Sequence, residues 1–223
     1  IEFPIRGVIW YQGCNNVGRA AQHQALFQTL ITDWRKCWKN PDMPFYFVQL
    51  ANYLQPSDLQ PESQWALLRE SQADALCLPH TGMVSNIDLG DAKDIHPKTK
   101  REVGRRMAAI ALNQTYGKHK TAFTAPVYER YTVEADGIHI HFATPQGSEP
   151  LVIEDNLPGF ILAGANRQWH VAKAKVLSGN EVVVSCEGIH FPVAVRYGWA
   201  DNPTCTLRTQ SGLHVAPFRT DRW

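Results

Sequence analysis

The chain has 223 residues, 44% of them hydrophobic, and its 22 Lys and Arg nearly balance 21 Asp and Glu for a formal net charge of +1. That length carries one large or two small packed domains. The balanced charge offers no footprint for nucleic acid or an anionic membrane surface, and no apolar run approaches the roughly 18 residues that span a bilayer.

In chain order, a short buried strand is predicted over Arg6 to Gln12, ending at Gly13. A helix follows from about Ala20 to Trp38, with Leu26, Phe27, Leu30, Ile31, Trp34 and Trp38 recurring at three- and four-residue steps. Pro41 and Pro44 break the chain before a second strand, Phe45 to Leu50, and Pro56 and Pro61 mark a loop. Glu62 to Leu76 reads as a helix with Trp65, Leu68 and Leu76 inside, Gly82 to Ile87 as a third strand, and Lys98 to Tyr116 as a basic helix closed by Gly117. Buried strand alternating with helix is the pattern of a parallel sheet covered on both faces. Three strands are few for such a sheet, and the chain opens Ile1-Glu2-Phe3-Pro4 without an initiator methionine. The small number of strands leads us to expect further ones upstream of residue 1, and the missing methionine suggests a processed piece.

From Lys118 onward the pattern changes to short strands. Val127 to Glu134 and Ile138 to Ala143 flank Asp136-Gly137, a hairpin signal. Further strands are predicted near Phe160 to Ala163, Trp169 to Leu177, Glu181 to Cys186, Val193 to Trp199 and Cys205 to Arg208, separated by turn residues. The fold class is therefore α/β, an incomplete parallel sheet with flanking helices over residues 1–117, followed by an all-β, sandwich-like domain over residues 118–223. An incomplete sheet has an open edge, so dimerisation is an expectation. The five cysteines, Cys14, Cys37, Cys77, Cys186 and Cys205, are odd in number and lack any C-x-x-C, which favours buried free thiols over a zinc site.

Two segments concentrate chemistry at the carboxyl ends of predicted strands, where open parallel sheets place ligands. In Trp10-Tyr11-Gln12-Gly13-Cys14-Asn15-Asn16, a backbone N–H and a side-chain amide at a strand exit can receive an oxyanion, although Gly and Asn also simply favour turns. In Asp88-Leu89-Gly90-Asp91-Ala92-Lys93-Asp94-Ile95-His96-Pro97, His96 is a candidate general base and Asp94 its orienting acceptor. Asp94 as a helix cap and Asp88, Asp91 and Asp94 as a calcium cluster are the competing meanings, the second lacking the closing glutamate of an EF-hand.

Gly7-Val8-Ile9-Trp10-Tyr11-Gln12-Gly13 with Asn16, then Asp94-Ile95-His96-Pro97, resembles the later blocks of SGNH-hydrolase esterases, most closely the sialate O-acetylesterase family. The resemblance continues through Ala194-Val195-Arg196-Tyr197-Gly198-Trp199-Ala200 and Pro217-Phe218-Arg219-Thr220-Asp221. It implies a metal-free serine esterase, needing no cofactor, that releases acetate from O-acetylated sialic acids and is secreted or periplasmic. Carried over, His96 and Asp94 are catalytic, Gly13 and Asn16 form the oxyanion hole, and the serine lies in a Gly-Gln-Ser-Asn block that this sequence lacks. Two further departures stand out: the family's Gly-Glu-Ser-Asn is here Gly13-Cys14-Asn15-Asn16, which lets Asn15 compete with Asn16, and Lys93 occupies the usual position of the acid, which keeps Asp91 in reserve. A fragment without the nucleophile is expected to hydrolyse acetyl esters poorly.

Gln12 and Arg69 are candidate substrate ligands, Arg69 through a substrate carboxylate, against the commoner exposed salt bridge on a helix. Cys14 is set aside as an inert thiol. His139 and His141 share a strand face without an evident third metal ligand, which favours an exposed face. Other readings are an acetylesterase for another sugar such as xylan, or a non-catalytic carbohydrate-binding piece.

Overall fold

The computed structural model of the chain describes residues 1–118 and 121–223. Strands β1 (Val8–Trp10), β2 (Phe45–Val48) and β3 (Thr81–Val84) form a parallel sheet in that order. Helices α1 (Ala20–Cys37) and α2 (Gln64–Ala73) connect them, and α3 (Lys100–Ile110) follows β3. β2 is buried at all four positions because both faces of the sheet are covered. Its alternation sorts the two layers. Phe45 and Phe47 join Val8, Met43 and the α1 residues Phe27 and Ile31, whereas Tyr46 and Val48 join Val84 and the α3 residues Val103, Met107 and Ile110.

The apolar face of α1 is narrower than its spacing suggests, since Leu26, one step round the helix from Phe27, is 55% exposed. α2 starts on Ser63, whose hydroxyl accepts the Ala66 N–H at 2.9 Å. It ends at Ala73, and a 3₁₀ turn over Asp74–Cys77 changes the pitch, which turns Leu76 outward instead of into the core.

From β4 onward all strand pairs are antiparallel. Strands β4 (Val127–Glu134), β5 (Gly137–Ala143), β8 (Lys173–Ser178) and β9 (Glu181–Ser185) make one sheet in the order β4-β5-β9-β8. Strands β6 (Phe160–Gly164), β7 (Trp169–Val171), β10 (Pro192–Tyr197) and β11 (Phe218–Arg219) make the other, in the order β11-β10-β6-β7. Ile138, Ile140, Val182 and Val184 from the first sheet share one core with Phe160, Leu162, Val195 and Tyr197 from the second, which makes the pair a sandwich.

Several local expectations are corrected here. The hairpin forms, but Glu134 pairs with Gly137, so its loop residues are Ala135 and Asp136. Gly137 is needed for a different reason: at φ 147° any Cβ would run into the Val184 carbonyl. The strand expected over Trp169–Leu177 is two strands, because the chain leaves one sheet for the other at Ala172. Cys205–Arg208 is irregular apart from an Arg208–His214 bridge, and the last sandwich strand is β11, too short to show a period.

The sandwich docks on α2 and the loop before it. Glu70 holds Arg219 through two hydrogen bonds of 2.9 and 2.7 Å. Ser63 and Gln60 both donate to the Asp201 carboxylate, at 2.6 and 2.7 Å, and Asn52 donates to Asn202 at 2.6 Å.

Candidate active site

The chain leaves β1 through Tyr11 and Gln12 and enters a 3₁₀ turn over Cys14–Asn16. Gly13 takes φ 154°, and a Cβ there would lie 2.9 Å from Gln72 Nε2 and 3.4 Å from Leu50 Cδ2. Glycine is required because Gln72 already fills that space. The buried Gln72 donates to the Gln12 carbonyl at 3.1 Å and accepts the Leu50 N–H at 2.9 Å, clamping together the exits of β1 and β2. The Asn16 N–H closes on the Gly13 carbonyl at 2.8 Å, and Gln12 Nε2 donates to Asn16 Oδ1 at 2.8 Å. The N–H of Gly13 has no acceptor among the described residues.

Beyond β3, the three aspartates have separate partners. Asp88 grips the Arg106 guanidinium at 2.7 and 2.6 Å, and Asp91 accepts the Lys93 N–H at 2.9 Å. Asp94 accepts the His96 N–H at 2.9 Å, and its carboxylate lies 3.5 Å from His96 Nδ1, an ion-pair contact rather than a closed hydrogen bond. These contacts scatter the carboxylates, so the calcium arrangement does not form among the described residues. The cap reading is corrected too, since Thr99 is the residue that opens α3. The backbone N–H of His96, with the imidazole adding to it, holds the Asp94 carboxyl below the usual carboxylate range. The His96 side chain is 84% exposed.

The two segments meet. Gln12, Gly13, Cys14 and Asn15 line one side of a cavity of about 370 Å³, and Ile95, His96, Pro97 and Lys100 line the other, with Leu50 at the β2 exit and Tyr11 completing the wall. Asn15 is thus on the wall, while Asn16 stands behind it, tied to Gln12. A larger cavity of about 500 Å³ runs along β3 and the sandwich but contains neither His96 nor Gly13; it is the seam between the two halves. Burial raises the pKa of the Cys14 thiol, so it is protonated at neutral pH and a poor nucleophile.

The substrate role expected for Arg69 is corrected, as is the exposed salt bridge. Its side chain is fully buried, and its guanidinium donates to four carbonyls: Leu50 at 3.0 Å, Ala51 at 3.0 Å, Ala200 at 2.7 Å and Asp201 at 2.8 Å. It joins the β2 exit to the sandwich and does not face the cavity. Burial lowers its pKa to about 9, which still leaves it charged at neutral pH. His139 is also misjudged by the sequence. It is buried, with Nδ1 2.8 Å from Glu181 and Nε2 2.9 Å from Asp136, and with Glu134 3.7 Å away.

Sequence reasoning gave no role to Tyr11, Lys100 or Gln72. Gln72 left a signal: Trp65, Leu68, Arg69 and Gln72 recur at three- and four-residue steps, so the buried face of α2 runs through two polar residues. A polar side chain on a core-facing stripe needs internal partners, and here they are the strand exits that shape the site.

These observations define a class: a parallel α/β sheet joined to a β-sandwich, with a histidine and a glycine turn converging at the carboxyl edge of the sheet. The family of carbohydrate esterases described as sialic acid-specific acetylesterases matches residues 2–113, half of the chain, and the protein belongs to it. Over 97% of its length the chain is 27% identical to the sialate O-acetylesterase of Mus musculus and 25% identical to that of Homo sapiens, covering 44% and 46% of those proteins. A crystal structure described as a novel carbohydrate acetylesterase from Xanthomonas citri matches 99% of the chain and 51% of its own, with a TM-score of 0.89 and 38% identity. The chain therefore spans about half the length of the relatives it matches.

Proposed function

We propose that this chain contributes the histidine and oxyanion side of a serine esterase that removes O-acetyl groups from sialic acids, the serine coming from a part of the enzyme outside this sequence. The convergence of His96 and Gly13 on one cavity supports this reading most directly. In the mechanism it implies, His96 takes the serine proton as the serine oxygen bonds to the acetyl carbon. The Gly13 N–H and an asparagine amide, Asn16 by resemblance or Asn15 by its place on the wall, receive the oxyanion. His96 then returns the proton to the departing sugar oxygen, and water releases acetate by the same route in reverse. Asp94, 3.5 Å from His96 Nδ1, orients the imidazole and stabilises its charged form.

The test is acetate release from O-acetylated sialic acid by the protein as its gene encodes it, against the 223-residue chain alone. The encoded protein is expected to be active and to lose activity on His96→Ala, the chain alone to be nearly inert toward p-nitrophenyl acetate. Strong turnover by the chain alone, blocked by a serine-directed inhibitor, would overturn the assignment of the nucleophile.

A further inference from the structure

We propose that Lys100 makes the cavity selective for anionic sugars, its ammonium meeting the carboxylate of an acidic sugar ester while the acetyl group sits between His96 and Gly13. This rests on the esterase reading above and adds a specificity residue to it. Lys100 Nζ lies 5.0 Å from the centre of the Tyr11 ring, and both side chains line the cavity. An ammonium over the electron-rich face of a tyrosine is held in place without being neutralised. Among the described residues no Asp or Glu lines the cavity, so of the groups they bring to it Lys100 carries the one fixed charge and His96 is the only other that can become cationic. Among the described residues no carboxylate lies within 4.0 Å of the Lys100 ammonium, unlike Lys175, which has Asp155 at 3.8 Å. The field of Lys100 also reaches Cys14 across the cavity, opposing the upward push of burial on that thiol.

A sugar bearing a carboxylate gains a charge-assisted contact here. A neutral acetylated sugar must displace water from the same ammonium and gains nothing in return, so discrimination comes from both sides.

The experiment measures acetate release from O-acetylated N-acetylneuraminic acid, from its neutral methyl ester and from acetylated xylo-oligosaccharide, using the encoded protein and its Lys100→Met and Lys100→Arg variants. The preference of the wild type for the free acid over the methyl ester, as a ratio of kcat/KM, is expected to fall about ten-fold in Lys100→Met, mainly through KM, and to recover largely in Lys100→Arg. A wild type that prefers the methyl ester or the xylo-oligosaccharide, or a Lys100→Met variant that slows acid and methyl ester equally, overturns the selectivity role while leaving the esterase reading standing. Absence of acetate release from all three substrates brings down both.

Discussion

Replacing Arg69 with methionine isolates the joint on which the candidate site is built. The side chain is completely buried, and four carbonyls depend on its guanidinium. Two of them keep another donor, because Trp65 Nε1 reaches the Ala51 carbonyl at 2.7 Å and the Tyr53 N–H reaches that of Asp201 at 3.1 Å. The carbonyls of Leu50 and Ala200 have no other donor among the described residues and would be stranded. At roughly 1–3 kcal/mol for each buried unsatisfied acceptor, Arg69→Met should cost about 2–6 kcal/mol. That is a large share of the roughly 5–15 kcal/mol by which domains are stable. Urea unfolding followed by far-UV circular dichroism reads the loss directly, and Arg69→Lys, which keeps the charge with fewer donors, should recover part of it. A methionine variant within about 0.5 kcal/mol of the wild type would refute the reasoning, since a change that small is typical of surface substitutions.

Other outcomes follow from the site. Gly13→Ala introduces a Cβ 2.9 Å from Gln72 Nε2 on a backbone of φ 154°, so it should lower the unfolding midpoint and, per folded molecule, lower acetate release by the encoded protein about 100-fold or more, the effect of disturbing one oxyanion donor. Asp94→Asn should cut kcat about 100-fold or more while Asp91→Asn leaves most of it, and the reverse order would transfer the orienting role to Asp91. For His139, burial opposes the charged imidazole, but the hydrogen bonds it donates to Glu181 and Asp136 outweigh that and raise its pKa. This stabilisation is complete below the unfolded value of about 6.5 and is lost as pH rises through the folded one. Unfolding midpoints of the wild type should therefore fall over that range and those of His139→Gln should stay flat, whereas parallel profiles would count against the ion cluster.

Three buried strands alternating with helices, the switch to short strands after residue 118, and the two segments that carry the candidate chemistry were all legible in the order of residues. They were so because burial on one or two faces leaves a local period, and because a glycine at a strand exit and a histidine after an aspartate are local patterns. That Gly13 and His96 share one cavity emerges only on folding, since 83 positions of chain separate them and no period records that closeness. Folding alone turned Arg69 inward onto carbonyls supplied by Ala200 and Asp201, and set His139 against Glu181 from a neighbouring strand. It also divided Trp169–Leu177 between two sheets, a break that continuous alternation along the chain conceals. In each case the deciding partner is distant in sequence, and a side chain's role as surface charge, core staple or ligand depends on what surrounds it after folding.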